Sequence, residues 1–120
     1  MDSLLDLRAR DRAAARLAAD VASYALDVPR EQIFDLKRGA ASAAFARQVA
    51  IYLCHVGFEL SLARIAAAFG RDRSTVAYAC HAIEDRREEP QFDLWIGGLE
   101  AMLRQAPAPE QSAAAEAKRL

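Results

Sequence analysis

Residues 61–83, SLARIAAAFGRDRSTVAYACHAI, decide how this chain folds. Apolar side chains recur in residues 61–69 at spacings of three and four, which predicts one buried helical face. Gly70 follows where the C-terminus of a helix favours a left-handed residue. Asp72 stands where a side-chain oxygen can cap a second helix. The second helix has its own apolar face, formed by Val76, Ala79, Cys80 and Ile83.

Two short helices joined by a glycine-containing turn form the helix-turn-helix pattern, in which the second helix enters the DNA major groove. The first turn of this second helix is polar rather than apolar. The groups that we expect to face DNA there are Asp72, Arg73, Ser74, Thr75 and Tyr78. Each of them can hydrogen-bond to base edges or to phosphates, so the stretch predicts a DNA-binding module.

The composition favours one all-helical domain. The chain has 120 residues with only five glycines and four prolines, and alanine, the best helix former, is abundant. No run of apolar residues is long enough to span a membrane. Acidic residues stand at the N-terminus where a secretory signal is basic, so we expect a cytoplasmic protein. A DNA-binding module in the cytoplasm would be nucleoid-associated. We expect the two cysteines to be buried free thiols.

The charge is unevenly distributed along the chain. The net charge is −1, which argues against a general polyanion binder, because non-specific DNA affinity comes from lysine and arginine. Residues 36–83, however, hold six basic and two acidic side chains, whereas residues 1–35 and 84–120 are both net acidic. Positive charge therefore coincides with the helix-turn-helix.

The rest of the chain predicts further helices around this motif. We expect one long or two abutting helices from Leu4 to about Leu26, with the first half more exposed. A short helix over Arg30–Leu36, a loop ending at a possible cap, Ser42, and helices over Ala44–Phe58 and Phe92–Leu103 follow. The predicted divisions are an N-terminal extension or frayed helix (1–14), the helix-turn-helix domain (15–104) and a disordered tail (105–120).

With these residues laid out, Ala46–Ile83 resembles the C-terminal DNA-binding domain of the bacterial chromosomal replication initiator DnaA. The resemblance rests on Arg47-Gln48 opening a helix, on Ala68-Phe69-Gly70, and on the block Arg71-Asp72-x-Ser74-Thr75-Val76 that follows. That block is far more specific than a bare helix-turn-helix pattern. The resemblance implies an all-α bundle of the DnaA C-terminal type.

The resemblance also implies roles for individual residues. Asp72, Arg73, Ser74 and Thr75 would read a short asymmetric site, the DnaA box, in the major groove, with Tyr78 one turn further along. Arg47 and Gln48 would hold the DNA backbone and nearby bases, and a basic loop would enter the minor groove. The residues that this assigns to DNA binding are Lys37, Arg38, Arg47, Gln48, Arg71, Asp72, Arg73, Ser74, Thr75 and Tyr78.

Two departures from the family pattern bear on affinity. The family usually has histidine where this chain has Arg73, and often where it has Tyr78. The basic loop retains Lys37 and Arg38, but glycine and alanine fill positions that family members load with arginine. The sequence has no G-x-x-x-x-G-K-[ST] loop, so we expect a free-standing relative of the initiator's DNA-binding domain without ATPase activity.

Three functions remain open from the sequence. The first is sequence-specific binding of double-stranded DNA at a DnaA-box-like site, regulating replication initiation or transcription. The second is a protein-interaction module that binds DnaA or a protein that inactivates it. The third is an unrelated enzyme, for which no catalytic residues stand out. Because the family's site is asymmetric and the chain has no heptad pattern, we expect a monomer.

No cofactor or metal is expected. Cys54-His55 and Cys80-His81 repeat a Cys-His pair, but adjacent residues on a helix point about 100° apart and do not chelate one ion easily. No Cys-x-x-Cys accompanies them.

Overall fold

The structure is a computed structural model, and it describes residues 3–35 and 40–106. Within these ranges the chain forms six α-helices and no strand, which confirms the all-α prediction. The helices are α1 (Leu4–Leu26), α2 (Arg30–Phe34), α3 (Ala41–Gly57), α4 (Leu62–Phe69), α5 (Arg73–Arg86) and α6 (Pro90–Gln105).

Helix α1 is one continuous helix that starts at a capping box. The Ser3 hydroxyl accepts a hydrogen bond from the Asp6 amide (3.1 Å), and the Asp6 carboxylate accepts one from the Ser3 amide (3.3 Å). Its first half is the more exposed, as expected, with Leu4 and Leu5 61% and 74% exposed, although Asp11 and Ala13 are buried. The helix runs across the predicted boundary after residue 14, and the domain boundaries themselves stay a prediction.

Two helix starts differ from the sequence-based expectation. Ser42 does not cap α3, because the helix begins one residue earlier at Ala41 and its N-cap, Ala40, has no side chain that could accept a hydrogen bond. Helix α6 begins at Pro90, two residues before Phe92, since proline is well suited to the first position of a helix. Helix α3 therefore starts three residues before the predicted Ala44 and ends one residue before the predicted Phe58, and α6 extends two residues beyond its predicted limits at each end.

Helix α3 is the centre of the bundle and packs against every other helix. Its inner positions are fully buried, and alanines on the facing side of α1 allow the two helices to approach closely. Cys54 lies at this contact, where its thiol donates to the Ala14 carbonyl (3.8 Å). At the far end of α3, Gly57 makes room for Leu103 of α6, whose Cδ2 would clash with a β-carbon at position 57.

The helix-turn-helix consists of α4 and α5, as predicted. Gly70 ends α4 in the left-handed conformation (φ 64°, ψ 39°), which confirms the role given to it. Asp72 occupies the N-cap of α5 with extended backbone, but its carboxylate makes no capping hydrogen bond. The position predicted for the cap was right and the side-chain bond was not.

An ion pair fixes α4 to α1. The Arg64 guanidinium donates to both oxygens of Asp11, at 3.0 Å through Nε and 2.6 Å through Nη2. The Asp11 side chain is only 10% exposed and that of Arg64 is 41% exposed. This bidentate geometry belongs to the stronger class of ion pairs, and it holds the first helix of the helix-turn-helix against the long N-terminal helix.

We predict that Asp11→Ala lowers the free energy of unfolding by about 1–3 kcal/mol, because it removes a largely buried partner of two charge-assisted hydrogen bonds. Urea denaturation measures the change. The matched control is Asp20→Ala on the same helix, which breaks the Asp20–Arg30 pair (3.1 Å), whose side chains are 53% and 42% exposed. The control should cost less than about 1 kcal/mol. Equal losses in the two variants would contradict a special role for Asp11.

Candidate nucleic-acid interface

The first turn of α5 presents a polar surface on an apolar support. Asp72, Arg73, Ser74 and Thr75 are all exposed, and Tyr78, one turn further, is 69% exposed. On the opposite side of the same helix the apolar residues are buried against the bundle, and these are Val76, Ala79, Cys80 and Ile83. The structure thus brings five of the ten predicted DNA-binding residues together on one accessible helical end.

This end of α5 offers both donors and acceptors. The Asp72 carboxylate accepts hydrogen bonds, Arg73 donates them, and the hydroxyls of Ser74 and Thr75 do both. Because Asp72 does not cap the helix, the backbone amides of the first turn keep donors that can meet an anion at a helix N-terminus. A mixed set of this kind can distinguish base pairs in the major groove.

Arg47, predicted to hold the DNA backbone, is bound within the protein. Its guanidinium donates to the carbonyls of Ile33 (2.7 Å), Gln32 (3.1 Å) and Asp35 (3.2 Å) at the C-terminal end of α2. Burial lowers the pKa of Arg47, and the neighbouring charge of Arg71 lowers it further. The arginine remains a cation that satisfies carbonyls left without partners at the end of a short helix.

Arg71 reaches the same place from the turn of the helix-turn-helix. It donates to the Asp35 carbonyl, so that α2, the start of α3 and the turn meet at one point. Gln48, the neighbour of Arg47, is half-buried in α3. Lys37 and Arg38, the residues kept from the basic loop, lie outside the described residues, between Asp35 and Ala40 that flank them.

Most arginines of residues 40–83 make contacts within the fold. Three of these four arginines make the internal contacts described above, namely Arg47, Arg64 and Arg71. The fourth, Arg73, is exposed. The charge asymmetry along the sequence therefore overstates the number of arginine N–H donors that this part of the surface can offer to DNA phosphates.

The other end of α5 is anchored by groups that the sequence did not single out. Arg87 donates to Asp93 (2.5 Å) and Glu100 (2.7 Å) of α6 and to the Tyr52 hydroxyl (3.1 Å) of α3. A run of charges such as residues 84–89 is usually a solvated helix end, but Arg87 is partly buried here. No helical spacing relates Arg87 to these partners across the α5–α6 connection, so the sequence carried no signal for this network.

Arg86, beside it, covers an aromatic cluster. Its guanidinium lies over the rings of Phe92 (4.3 Å) and Phe45 (4.7 Å), and Trp95 stacks on Phe45 with centroids 6.2 Å apart. Together with the Arg87 network, this cluster joins α5 and α6 to the central helix α3. The C-terminal end of α5 is therefore held firmly in the bundle, and the polar first turn lies at the opposite end of the same helix.

The cysteines have structural positions. Cys54 and Cys80 are free and buried, as predicted. Burial raises the pKa of the Cys80 thiol to about 11, so it stays protonated near neutral pH. Within residues 3–35 and 40–106, no group of three or more histidine, cysteine or acidic side chains is placed to hold a metal ion. Among the described helices, none is long and apolar enough to cross a membrane.

Comparison with known proteins matches this region to one family. The family model described as the bacterial dnaA protein helix-turn-helix matches residues 14–83. The chain is 47% identical over 60 residues to the chromosomal replication initiator protein DnaA 2 of Chlamydia trachomatis serovar D, an alignment that covers 48% of this chain and 13% of that relative. It is 36% identical over 77 residues to the chromosomal replication initiator protein DnaA of Symbiobacterium thermophilum, covering 62% of this chain and 17% of that relative. The chain thus spans less than a fifth of the length of these relatives.

We predict that Arg47→Ala lowers the free energy of unfolding by about 2 kcal/mol, because three carbonyls at the end of α2 lose a charged donor. Chemical denaturation measures the loss. Gln48→Ala is the matched control, since Gln48 is also half-buried in α3 and should change stability by less than about 0.5 kcal/mol. An Arg47→Ala variant as stable as the parent would show that these hydrogen bonds do not hold the corner between α2 and α3.

Proposed function

The chain belongs to the family of the bacterial DnaA helix-turn-helix domain, and on that premise we propose that it binds double-stranded DNA sequence-specifically at a DnaA-box-like site. The first turn of α5 would enter the major groove, and the protein would act by binding, as a regulator of replication initiation or transcription without ATPase activity. We expect a monomer associated with the nucleoid in the cytoplasm.

One observation supports this proposal above the others: four consecutive polar side chains are exposed at the N-terminal end of a helix whose opposite face is buried. Exposed residues at this position of a helix-turn-helix are the ones that reach base edges. The proposed base-reading residues are Arg73, Ser74 and Thr75, with Asp72 as an acceptor and Tyr78 contacting DNA one turn further along.

The other predicted DNA-binding residues are proposed as supporting contacts rather than as base-reading ones. Arg71 and Arg47 lie beside the start of α5, and each would have to leave or share a carbonyl of α2 to bind a phosphate. Gln48 is next to Arg47 on α3, and Lys37 and Arg38 belong to the segment between α2 and α3. We propose that these residues support DNA from the side, with the specific contacts coming from α5.

A second candidate function is favoured by the electrostatics. Arg73 is the one exposed arginine in residues 40–83, and the whole chain has a net charge of −1. A surface of this kind also suits a protein partner, so the alternative is a module that binds the replication initiator or a protein that inactivates it. Such a module would bind its partner through the same polar end of α5. It could also compete with the initiator's own DNA-binding domain for that partner.

The proposal is tested by substitutions in the first turn of α5. We predict that Arg73→Ala and Thr75→Ala each weaken binding to a DnaA-box duplex by about 1–3 kcal/mol, the usual cost of losing a base-edge contact. Fluorescence anisotropy with a labelled duplex at fixed salt measures the change. His81→Ala, an exposed position further along α5, is the control and should bind as the parent does. If Arg73→Ala and Thr75→Ala also bind as the parent does, the major-groove assignment is wrong.

The depleted basic loop gives an opposite, gain-of-affinity test. Ala40 and Ala41 are exposed where family members carry arginines, so we predict that Ala40→Arg with Ala41→Arg strengthens binding by about 1 kcal/mol for each new contact. The gain should be larger on duplexes with an A·T-rich flank, whose narrow minor groove attracts arginine. Equal, tight binding by parent and variant would show that another surface replaces the loop. Equal binding near background would favour the protein-interaction alternative.

A further inference from the structure

A cleft away from the start of α5 is lined by three arginines. It has a volume of about 270 Å³ and lies between α1, α2 and α4. Its lining residues are Arg12, Arg16, Arg30, Glu31, Phe34 and Ala68. Three arginines and one carboxylate line the cleft, and Asp20 pairs with Arg30 beside it, so arginines outnumber carboxylates there although the chain as a whole is slightly negative.

Two of the three arginines lie side by side on α1. Arg12 and Arg16 are four residues apart on α1 and so lie on the same face, where like charges destabilise a helix. Within the described part of the chain, no carboxylate pairs with Arg12, and its side chain is exposed. Arg12 and Arg16 both line the cleft, and two arginines at the mouth of one concave surface focus positive potential into it.

Arg30 completes the cleft from α2. Asp20, one turn beyond Arg16 on α1, contacts only Nη1 of Arg30, at 3.1 and 3.4 Å. A guanidinium has five N–H donors, so Arg30 can stay paired with Asp20 and still donate to an anion. The ion pair therefore positions Arg30 at the cleft without using up its donors.

The remaining walls make the cleft a rigid, small pocket. Phe34 stacks on Phe69 with ring centroids 5.1 Å apart, and Ala68 beside it has only a methyl side chain. The volume accommodates one or two phosphate groups rather than a large ligand. Planar guanidinium groups bind phosphate oxygens in a bidentate manner, which makes phosphate the anion that this set of side chains recognises best.

We propose that the cleft formed by Arg12, Arg16 and Arg30 is a phosphate-binding site, which receives either a phosphate of the DNA backbone or a phosphate group of a free small molecule. The position of the cleft fits the first source, because Phe69 and Ala68 directly precede the turn of the helix-turn-helix. The site is separate from the first turn of α5. It does not depend on the proposed reading of a DnaA box.

The test is a titration of the ¹⁵N-labelled full chain with sodium pyrophosphate at constant ionic strength, followed by NMR. We expect saturable shifts confined to amides around the cleft. Arg12→Gln should weaken binding at least fivefold, and Arg104→Gln, which removes an equally exposed arginine from α6, should not. Glu31→Gln should strengthen binding about twofold, because it removes the one carboxylate among the residues that line the cleft. A loss of folding could not produce such a gain.

A second arm distinguishes the sources of the phosphate. If the DNA backbone occupies the cleft, Arg12→Gln weakens binding to box and scrambled duplexes alike by about threefold or more, and the slope of log affinity against log salt flattens by about one. If a free phosphate compound occupies it, pyrophosphate binds while duplex affinity is the same in Arg12→Gln and Arg104→Gln. The proposal is overturned if pyrophosphate gives no saturable shifts and the two variants bind duplex equally. Failure of DNA reading by α5 would leave the pyrophosphate result unaffected.

Discussion

Two arginines binding the end of one short helix set the geometry on which the interface depends. Arg47 of α3 and Arg71 of the turn both donate to the carbonyls that end α2. Helix α2, helix α3 and the turn of the helix-turn-helix therefore meet at one point. Helix α2 has only five residues, so its last carbonyls have few intrahelical partners. The arginines supply these partners and thereby hold the end of α2 against the turn that precedes α5.

The same interactions determine which kind of binding the surface can support. Arg64 is neutralised by its ion pair with Asp11, whereas Arg47 and Arg71 keep their charge but donate to carbonyls, so fewer of their N–H groups are available to phosphates. What remains at the start of α5 is a compact set of hydrogen-bonding groups with one exposed arginine. Such a surface favours selectivity between sequences over general affinity for DNA, and it leaves room for the arginine-lined cleft to contribute charge from another side.

The helices and the turn were predictable from the sequence because they depend on local patterns. Apolar spacing indicated all six helical regions, and the need for a left-handed residue indicated Gly70. The polar pairings were not predictable. Asp11 and Arg64 are 53 residues apart, and nothing in their neighbourhoods indicates the partner. Ser42 had a typical capping residue type, but the helix started before it. Arg47 was predicted to contact DNA, and its contacts within the protein became visible only with the end of α2 in place.

The most direct test of the central claim is the salt dependence of binding to a DnaA-box duplex and to a scrambled duplex of equal length. The account predicts that the box is bound at least tenfold more tightly at the same salt concentration, since hydrogen bonds from the first turn of α5 carry the difference. It also predicts that log affinity falls only gently with log salt concentration, with a slope no steeper than about −3, because few cations of this surface are available to phosphates. Equal affinities for the two duplexes, together with a steep slope, would contradict it.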